Sequence, residues 1–275
     1  MTTKRAYTIA LAGKGGTGKT TIGGLLVRFL KEHAMTPILA VDADANANFN
    51  EVLGLAVHDT VGEAREMMKT DVPTGMTKDL FMEMKVQQAL VEADGLDLIV
   101  MGRPEGPGCY CAANTLLSKF IERLVKNYAY LVIDNEAGME HLSRLTTRDV
   151  DLLLVASDPS RRGIQTARRI SDLVDELGIR VGKKFLLVNQ YRDGLPTVNY
   201  DGIGGFGPES VATIPEDELI HRFDLEGKPT VALPPESKAM QAANAVFTRL
   251  LIQEMSVVSG PVSVARLPAR ADSRG

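Results

Sequence analysis

Short, uninterrupted apolar runs alternate along this chain with longer stretches of helical periodicity. The runs are Ala6–Ala12, Pro37–Val41, Leu98–Met101, Tyr130–Ile133, Leu152–Ala156 and Phe185–Val188. Each is followed by turn, polar or charged residues. Runs that are apolar at nearly every position fit strands buried on both faces of a parallel sheet. Helical stretches are expected at Thr20–Lys31, Lys78–Ala93, Ala113–Lys126 and Gly163–Leu177. The alternation predicts an α/β fold, a mostly parallel twisted sheet with helices on both faces. Right-handed crossovers then bring the C-terminal ends of the strands to one edge, where ligands bind.

Composition narrows the function classes. The chain has 275 residues, a formal net charge of −4 and no Trp. A slightly acidic balance argues against coating nucleic acid, and 5% aromatic content argues against a stacking platform for single strands. No apolar run is long enough to span a bilayer. The first residues carry Lys4 and Arg5 and lead into a strand and glycines rather than a cleavable leader. The expectation is a cytoplasmic protein with neither a membrane nor a nucleic-acid partner. Residues 1–256 read as one domain. Residues 257–275 hold Pro261, Pro268 and several arginines without apolar periodicity, and read as a frayed tail. The glycine-rich stretch Asn199–Pro208 fits a surface loop or a mobile flap.

The strongest chemical signal is Gly13-Lys14-Gly15-Gly16-Thr17-Gly18-Lys19-Thr20. It matches G-x-x-x-x-G-K-[ST], follows an expected strand and opens an expected helix. Glycines let backbone N–H groups turn inward around phosphate oxygens, and the helix N-terminus adds partial positive charge. Lys19 is expected at the β- and γ-phosphates, and the Thr20 hydroxyl at Mg²⁺. Gly13, Gly15, Gly16, Thr17, Gly18, Lys19, Thr20 and Thr21 are the expected ATP or ADP contacts. The stretch is identified as a P-loop.

Lys14 adds a second lysine inside the loop. With it, KGGTGKT resembles the deviant Walker A family, dimeric P-loop ATPases that include nitrogenase iron protein and the cell-division protein MinD. The resemblance implies that Lys14 crosses a dimer interface to the partner's nucleotide, where its charge acts as an arginine finger does. A solvated surface lysine is the alternative. Val41-Asp42-Ala43-Asp44 then corresponds to switch I. Asp44 would orient or deprotonate the attacking water and stand near Mg²⁺, with Asp42 at the edge of the site. Capping of a helix after Asn46 is the structural alternative. Leu131-Val132-Ile133-Asp134 resembles a Walker B strand, which gives Asp134 to Mg²⁺ directly or through water. Gly138, four residues on, departs from the usual D-x-x-G spacing of switch II. By the same resemblance Asn189 meets the purine edge, and Ile214-Pro215-Glu216-Asp217 forms a second base-contacting loop through Pro215.

Cys109 and Cys111 are the chain's two cysteines, one residue apart in a Gly-Pro loop before an expected helix. Two thiolates cannot fill a tetrahedral site, but two chains about a two-fold axis supply four. Such sites take Zn²⁺, Ni²⁺, Cu⁺ or an iron–sulfur cluster. Simple packing and a redox pair are the alternatives. The C-x-C loop and the stretch Asp134–Leu142 (DNEAGMEHL) resemble the CooC/AcsF group. These are nickel-insertion accessory ATPases of carbon monoxide dehydrogenase and acetyl-CoA synthase.

That resemblance implies an ATP-dependent metallochaperone. Its nucleotide-driven homodimer would hold Ni²⁺ or Zn²⁺ between paired cysteines and deliver nickel to such an enzyme. A MinD/ParA-type positioning ATPase and an iron–sulfur ATPase reductase are the rival readings. His141 stands as a third metal ligand or a coupling residue. Met82 and Met84 read as core fillers, and Arg161-Arg162 as a solvated pair at a helix start or a contact to nucleotide or partner.

Overall fold

The computed structural model describes residues 5–44, 48–102, 120–135, 149–192 and 206–253. Eight strands form one sheet: β1 (Tyr7–Gly13), β2 (Ile38–Asp42), β3 (Val91–Ala93), β4 (Leu96–Val100), β5 (Tyr130–Asp134), β6 (Asp149–Ser157), β7 (Arg180–Tyr191) and β8 (Val211–Pro215). Their order is β3-β4-β2-β5-β1-β6-β7-β8. Every pairing is parallel except β3 with β4. The helices are α1 (Lys19–Glu32), α2 (Phe49–Leu53), α3 (Val61–Thr70), α4 (Lys78–Gln88), α5 (Arg161–Glu176), α6 (Glu218–Leu225) and α7 (Lys238–Phe247). Residues 120–125 are also helical, and a π-helical segment, Thr248–Gln253, continues from α7.

Two apolar cores, one on each face, explain the unbroken apolar strands. Strand neighbours alternate between them: Ala10 and Ala12 face one core, Ile9 and Leu11 the other. The first core takes α3, α4, residues 120 and 121, and α5; the second takes α1, α2, α7 and Leu250 and Leu251. A residue two positions along a strand returns to the same face, so both faces need apolar side chains.

Helix starts follow local chemistry. Thr60 and Glu63 form a capping box before α3. Thr77, Ser160 and Ser237 accept N–H bonds at the starts of α4, α5 and α7. Asp217 caps α6 through Leu219 N at 2.9 Å. Its second oxygen accepts Ser237 Oγ at 2.6 Å and Ala239 N at 3.0 Å, which joins α6 to α7.

The helical stretch expected over Lys78–Ala93 is corrected. The helix stops at Gln88, and Val91–Ala93 is an edge strand paired antiparallel to β4. β8, α2, α3, α6 and α7 add elements beyond those expected from the pattern. Met82 is buried in the core and Met84 packs against it, as expected for gap-filling residues. Among the described residues no helix is long and apolar enough to cross a membrane.

Phe29 is fully buried and meets the Phe247 ring edge-on at 5.6 Å. Phe29→Ala should cost about 3–5 kcal/mol. Urea denaturation at constant m-value checks it, and a loss below 1 kcal/mol would contradict this packing.

Candidate functional site

Among the described residues, every other helix of eight residues or more starts on a side-chain cap. α1 starts on Gly18, in the left-handed region, with no side-chain cap and no acidic residue in its first turn. Its leading N–H groups are therefore left for an anion. The loop before it is tightly made. Lys14 O accepts Thr17 Oγ1 at 2.8 Å, Thr17 N at 3.3 Å and Lys19 Nζ at 3.4 Å. Lys19 is buried, whereas the Lys14 side chain is exposed. A Cβ on Gly13 would stand 2.4 Å from Ala156 O of β6, so only glycine fits there.

A cleft of about 980 Å³ opens from this loop. Gly15, Gly16, Gly18, Lys19, Thr20 and Thr21 form its floor. Asp44 and residues of α2 form one wall, and the segment from Asp224 to Thr230 forms the other. α2 reaches this position because α1 carries Gly23 and Gly24. A Cβ on Gly24 would stand 2.2 Å from Val52 Cγ1, and one on Gly23 3.0 Å from Phe49.

Two buried carboxylates, Asp42 and Asp134, stand behind the floor, and Asp44 lines the wall. Asp42 and Asp134 end neighbouring strands in register, and both are buried. Asp42 accepts the N–H groups of Asp44 and Phe49, each at 3.0 Å. It is thus Asp42 that receives the first N–H of α2. Desolvation nevertheless raises its pKa to about 6, against the lowering effect of those bonds. Desolvation raises Asp134 to about 7, opposed by the Thr20 hydroxyl bonded to it, with the Asp42 charge adding to the rise. Asp134 Oδ1 is buried without a hydrogen-bond partner among the described residues. A hydroxyl beside a carboxylate with a spare buried oxygen suits a hard, oxygen-seeking cation. Thr20 and Asp134 would hold Mg²⁺, with Asp44 nearby at the cleft wall.

Asn189 and Pro215 stand outside this cleft lining. Asn189 is buried behind the loop and donates Nδ2 to Thr17 O at 2.9 Å. A Cβ on Gly18 would stand 2.3 Å from that nitrogen. The amide oxygen and second N–H of Asn189 have no partner among the described residues. Pro215 ends β8 in register with Tyr191. Beside it Arg192 pairs with Glu216, their closest N–O distance 2.5 Å. Cys109, Cys111, Gly138, Glu140 and His141 lie outside the described residues, as do 193–205 and 254–275.

Two neighbours were assigned no role from the sequence. Asn135 is fully buried, donates Nδ2 to Leu11 O at 2.8 Å and leaves Oδ1 unpartnered among the described residues. Gln190 adopts a φ of 57°, rare for a non-glycine residue, and donates Nε2 to Gly16 O at 3.4 Å. Adjacency to a strand-end residue hinted at each, and Asn135 also lies in the DNEAGMEHL stretch.

Comparison with known proteins agrees with this geometry. The chain matches the CobQ/CobB/MinD/ParA nucleotide binding domain over residues 8–231, and it belongs to that family. It is similar to an uncharacterized ATP-binding protein of Methanocaldococcus jannaschii, MJ0685. The two are 38% identical over 248 residues, covering 88% of this chain and 98% of that one. It is also similar to the carbon monoxide dehydrogenase accessory protein CooC of Rhodospirillum rubrum. That match is 35% identical over 188 residues, covering 62% of this chain and 70% of CooC. Among solved structures, MinD of Pyrococcus horikoshii with Mg-ADP superposes with a TM-score of 0.65. It is 21% identical, and the match covers 90% of this chain and 97% of that one. The fold is that of a MinD/ParA-like P-loop NTPase, and nucleotide binding is the family property.

Two outcomes follow from the loop and the buried acids. Gly18→Ala should destabilise the nucleotide-free protein by about 1–2 kcal/mol through its left-handed backbone, with the Asn189 clash in addition. Gly15→Ala, with nothing within 4 Å of the new Cβ, should cost under about 0.5 kcal/mol in the same urea titration. Equal losses would contradict the loop geometry.

The raised carboxyl pKa values give a sign. The folded state holds these protons more tightly than the unfolded state. Their stabilising contribution is full below pH 3.8 and is lost as pH rises through about 6 for Asp42 and about 7 for Asp134. Chelator-treated protein should lose stability from pH 5 to 8, by at most about 1.4 kcal/mol per pH unit for each group. Asp134→Asn should flatten the upper part of that slope.

Proposed function

We propose that this chain is an ATP-hydrolysing metallochaperone whose homodimer carries one metal ion for a nickel enzyme. The observation that carries the reading is the 35% identity to CooC in a chain whose two cysteines stand in C-x-C spacing. Thiolates from two copies would make one four-sulfur site for Ni²⁺, with Zn²⁺ competing because such ligands discriminate weakly. The client would be an enzyme of the carbon monoxide dehydrogenase/acetyl-CoA synthase type.

The residues divide the work as follows. Backbone N–H groups of Gly15 to Thr20 and the uncapped start of α1 bind phosphate oxygens. Lys19 balances β- and γ-phosphate charge from its buried position. Thr20 and Asp134 would hold Mg²⁺, which would supply charge neutralisation at the phosphates. Asp44, at the cleft wall, is the group to orient or deprotonate the attacking water. Asp42 is spent on backbone N–H bonds and holds Asp44 in place. Lys14 projects outward, where it would reach a second copy's nucleotide. Asn189 would hold the loop with one N–H and turn its amide oxygen to the base. ATP can favour the closed pair only by its differential affinity for the two states.

A second reading, a positioning ATPase of the MinD/ParA type, draws on the solved-structure likeness to MinD. It accounts for the loop and Lys14 equally but leaves the paired cysteines without a role. The decisive experiment uses full-length protein with and without a non-hydrolysable ATP analogue. Metal analysis and sedimentation should find one metal per dimer with the analogue. Cys109→Ser/Cys111→Ser should abolish metal and keep nucleotide affinity within two-fold. One metal per dimer retained in that variant sinks the carrier reading.

Lys14→Ala should lower ATP turnover by about 10³-fold or more, on the scale of an arginine finger, at unchanged monomer nucleotide affinity. An unchanged turnover would return Lys14 to the solvated surface.

A further inference from the structure

α5 carries a charge pattern that the fold itself does not explain. The helix buries Gly163, Ala167, Ile170, Ser171 and Val174. It exposes Arg161, Arg162, Arg168 and Arg169. Among the described residues none of these four arginines makes an ion pair. Arg5, Arg28, Arg123, Arg180 and Arg192 each hold a carboxylate. Arg161 and Arg162, in the first turn, also oppose the helix's own field, since cations are disfavoured near an N-terminus. The first turn of α5 holds no acid and the last turn no base.

The spacing makes the four a surface. Arg161 and Arg168 are seven residues apart, as are Arg162 and Arg169. Each pair is thus about 10 Å apart along the axis and about 20° apart around it. The result is two parallel basic stripes. Asp172 and Glu176 lie within about 20° of these stripes and end them. The patch is also tied to the nucleotide edge. A Cβ on Gly163 would stand 2.6 Å from Asp158 Oδ1 and 2.7 Å from Ser157 Oγ, so α5 begins hard against the end of β6. Ala156 of β6 is in register with Gly13 of the phosphate loop.

We infer that the α5 arginines form a docking surface for a short acidic stretch on a partner protein. Charge complementarity favours a protein over nucleic acid. A phosphate backbone is anionic throughout and would meet Asp172 and Glu176 on the same face. A protein surface can be acidic over only the ten or so ångströms (about 10 Å, two helical turns) that the arginines cover. The chain's net charge of −4 opposes long-range attraction of a polyanion as well. Unpaired guanidiniums are ready to grip carboxylates in bidentate fashion. This surface goes beyond the metal-carrier reading and stands without it, because it needs neither the cysteines nor hydrolysis.

The test uses full-length protein and a short peptide of four consecutive glutamates flanked by Gly-Ser as the probe, with a 20-bp duplex DNA beside it. The peptide should bind and weaken as salt rises. Arg168→Glu/Arg169→Glu should weaken it at least ten-fold while ATP turnover stays unchanged. Arg161→Glu/Arg162→Glu should also lose the peptide, yet melt at a higher temperature because acids suit that helix end. Peptide binding that is absent, or unchanged in both variants, overturns the inference. Duplex DNA that binds more tightly than the peptide and is lost in the same variants overturns it too. Failure here leaves the metal stoichiometry of the dimer untouched, so the two readings fall separately.

Discussion

Asp42 and Asp134 end neighbouring strands in register, and neither carboxylate reaches water. Two acids held this way must each find a partner or keep a proton. Asp42 finds backbone: the N–H groups of Asp44 and Phe49 close on it and draw the chain after β2 into a fixed turn. Asp134 finds the Thr20 hydroxyl at the head of α1 and keeps one oxygen unpartnered among the described residues. The first acid builds the wall of the cleft, and the second sits behind its floor, bonded to Thr20. Their mutual repulsion and burial are the cost that a bound cation would relieve.

The glycines decide how closely the remaining parts approach. Gly23 and Gly24 sit inside α1, where each costs roughly 1 kcal/mol of helix propensity. Their missing side chains let Phe49 and Val52 of α2 lie against the helix. Burial of a side chain such as Phe49 returns about 1.5–3 kcal/mol, so the close packing wins. Gly13 and Gly18 do the same on the other side of the loop, against Ala156 O and Asn189. The phosphate loop is thus held by β6, β7 and α1 together. Asp217 works at longer range, since one carboxylate caps α6 and braces the start of α7.

Much of the fold was legible because buried parallel strands leave unbroken apolar runs. Six such runs correspond to β1, β2, β4, β5, β6 and β7. β3 and β8 escaped for a physical reason. Both are edge strands, half wetted, and neither carries a continuous apolar run. α4 was read too long because apolar residues continue past Gln88, where the pairing of Val91–Ala93 with β4 takes over. In the site, the positions of Lys19, Thr20 and Asp134 were legible because loop, helix start and strand end are written in short-range order. Asn135, Gln190 and Asp217 were not. Their partners lie in Leu11, Gly16, Ser237 and Ala239, which no local spacing joins to them.

By itself the sequence determined the layered α/β class, the phosphate loop and the acids that end its neighbouring strands. Those features are written in residue type and short-range order, through apolar periodicity, glycine placement and strand-then-helix context. Only the tertiary structure decided which acid turns toward backbone and which keeps an oxygen unpartnered among the described residues. It alone showed that Asn189 braces the loop, and that the α5 arginines make no ion pair among the described residues. Those outcomes depend on strand register and helix packing, which bring Asp42 beside Asp134 and Asn189 against Thr17, 172 positions away.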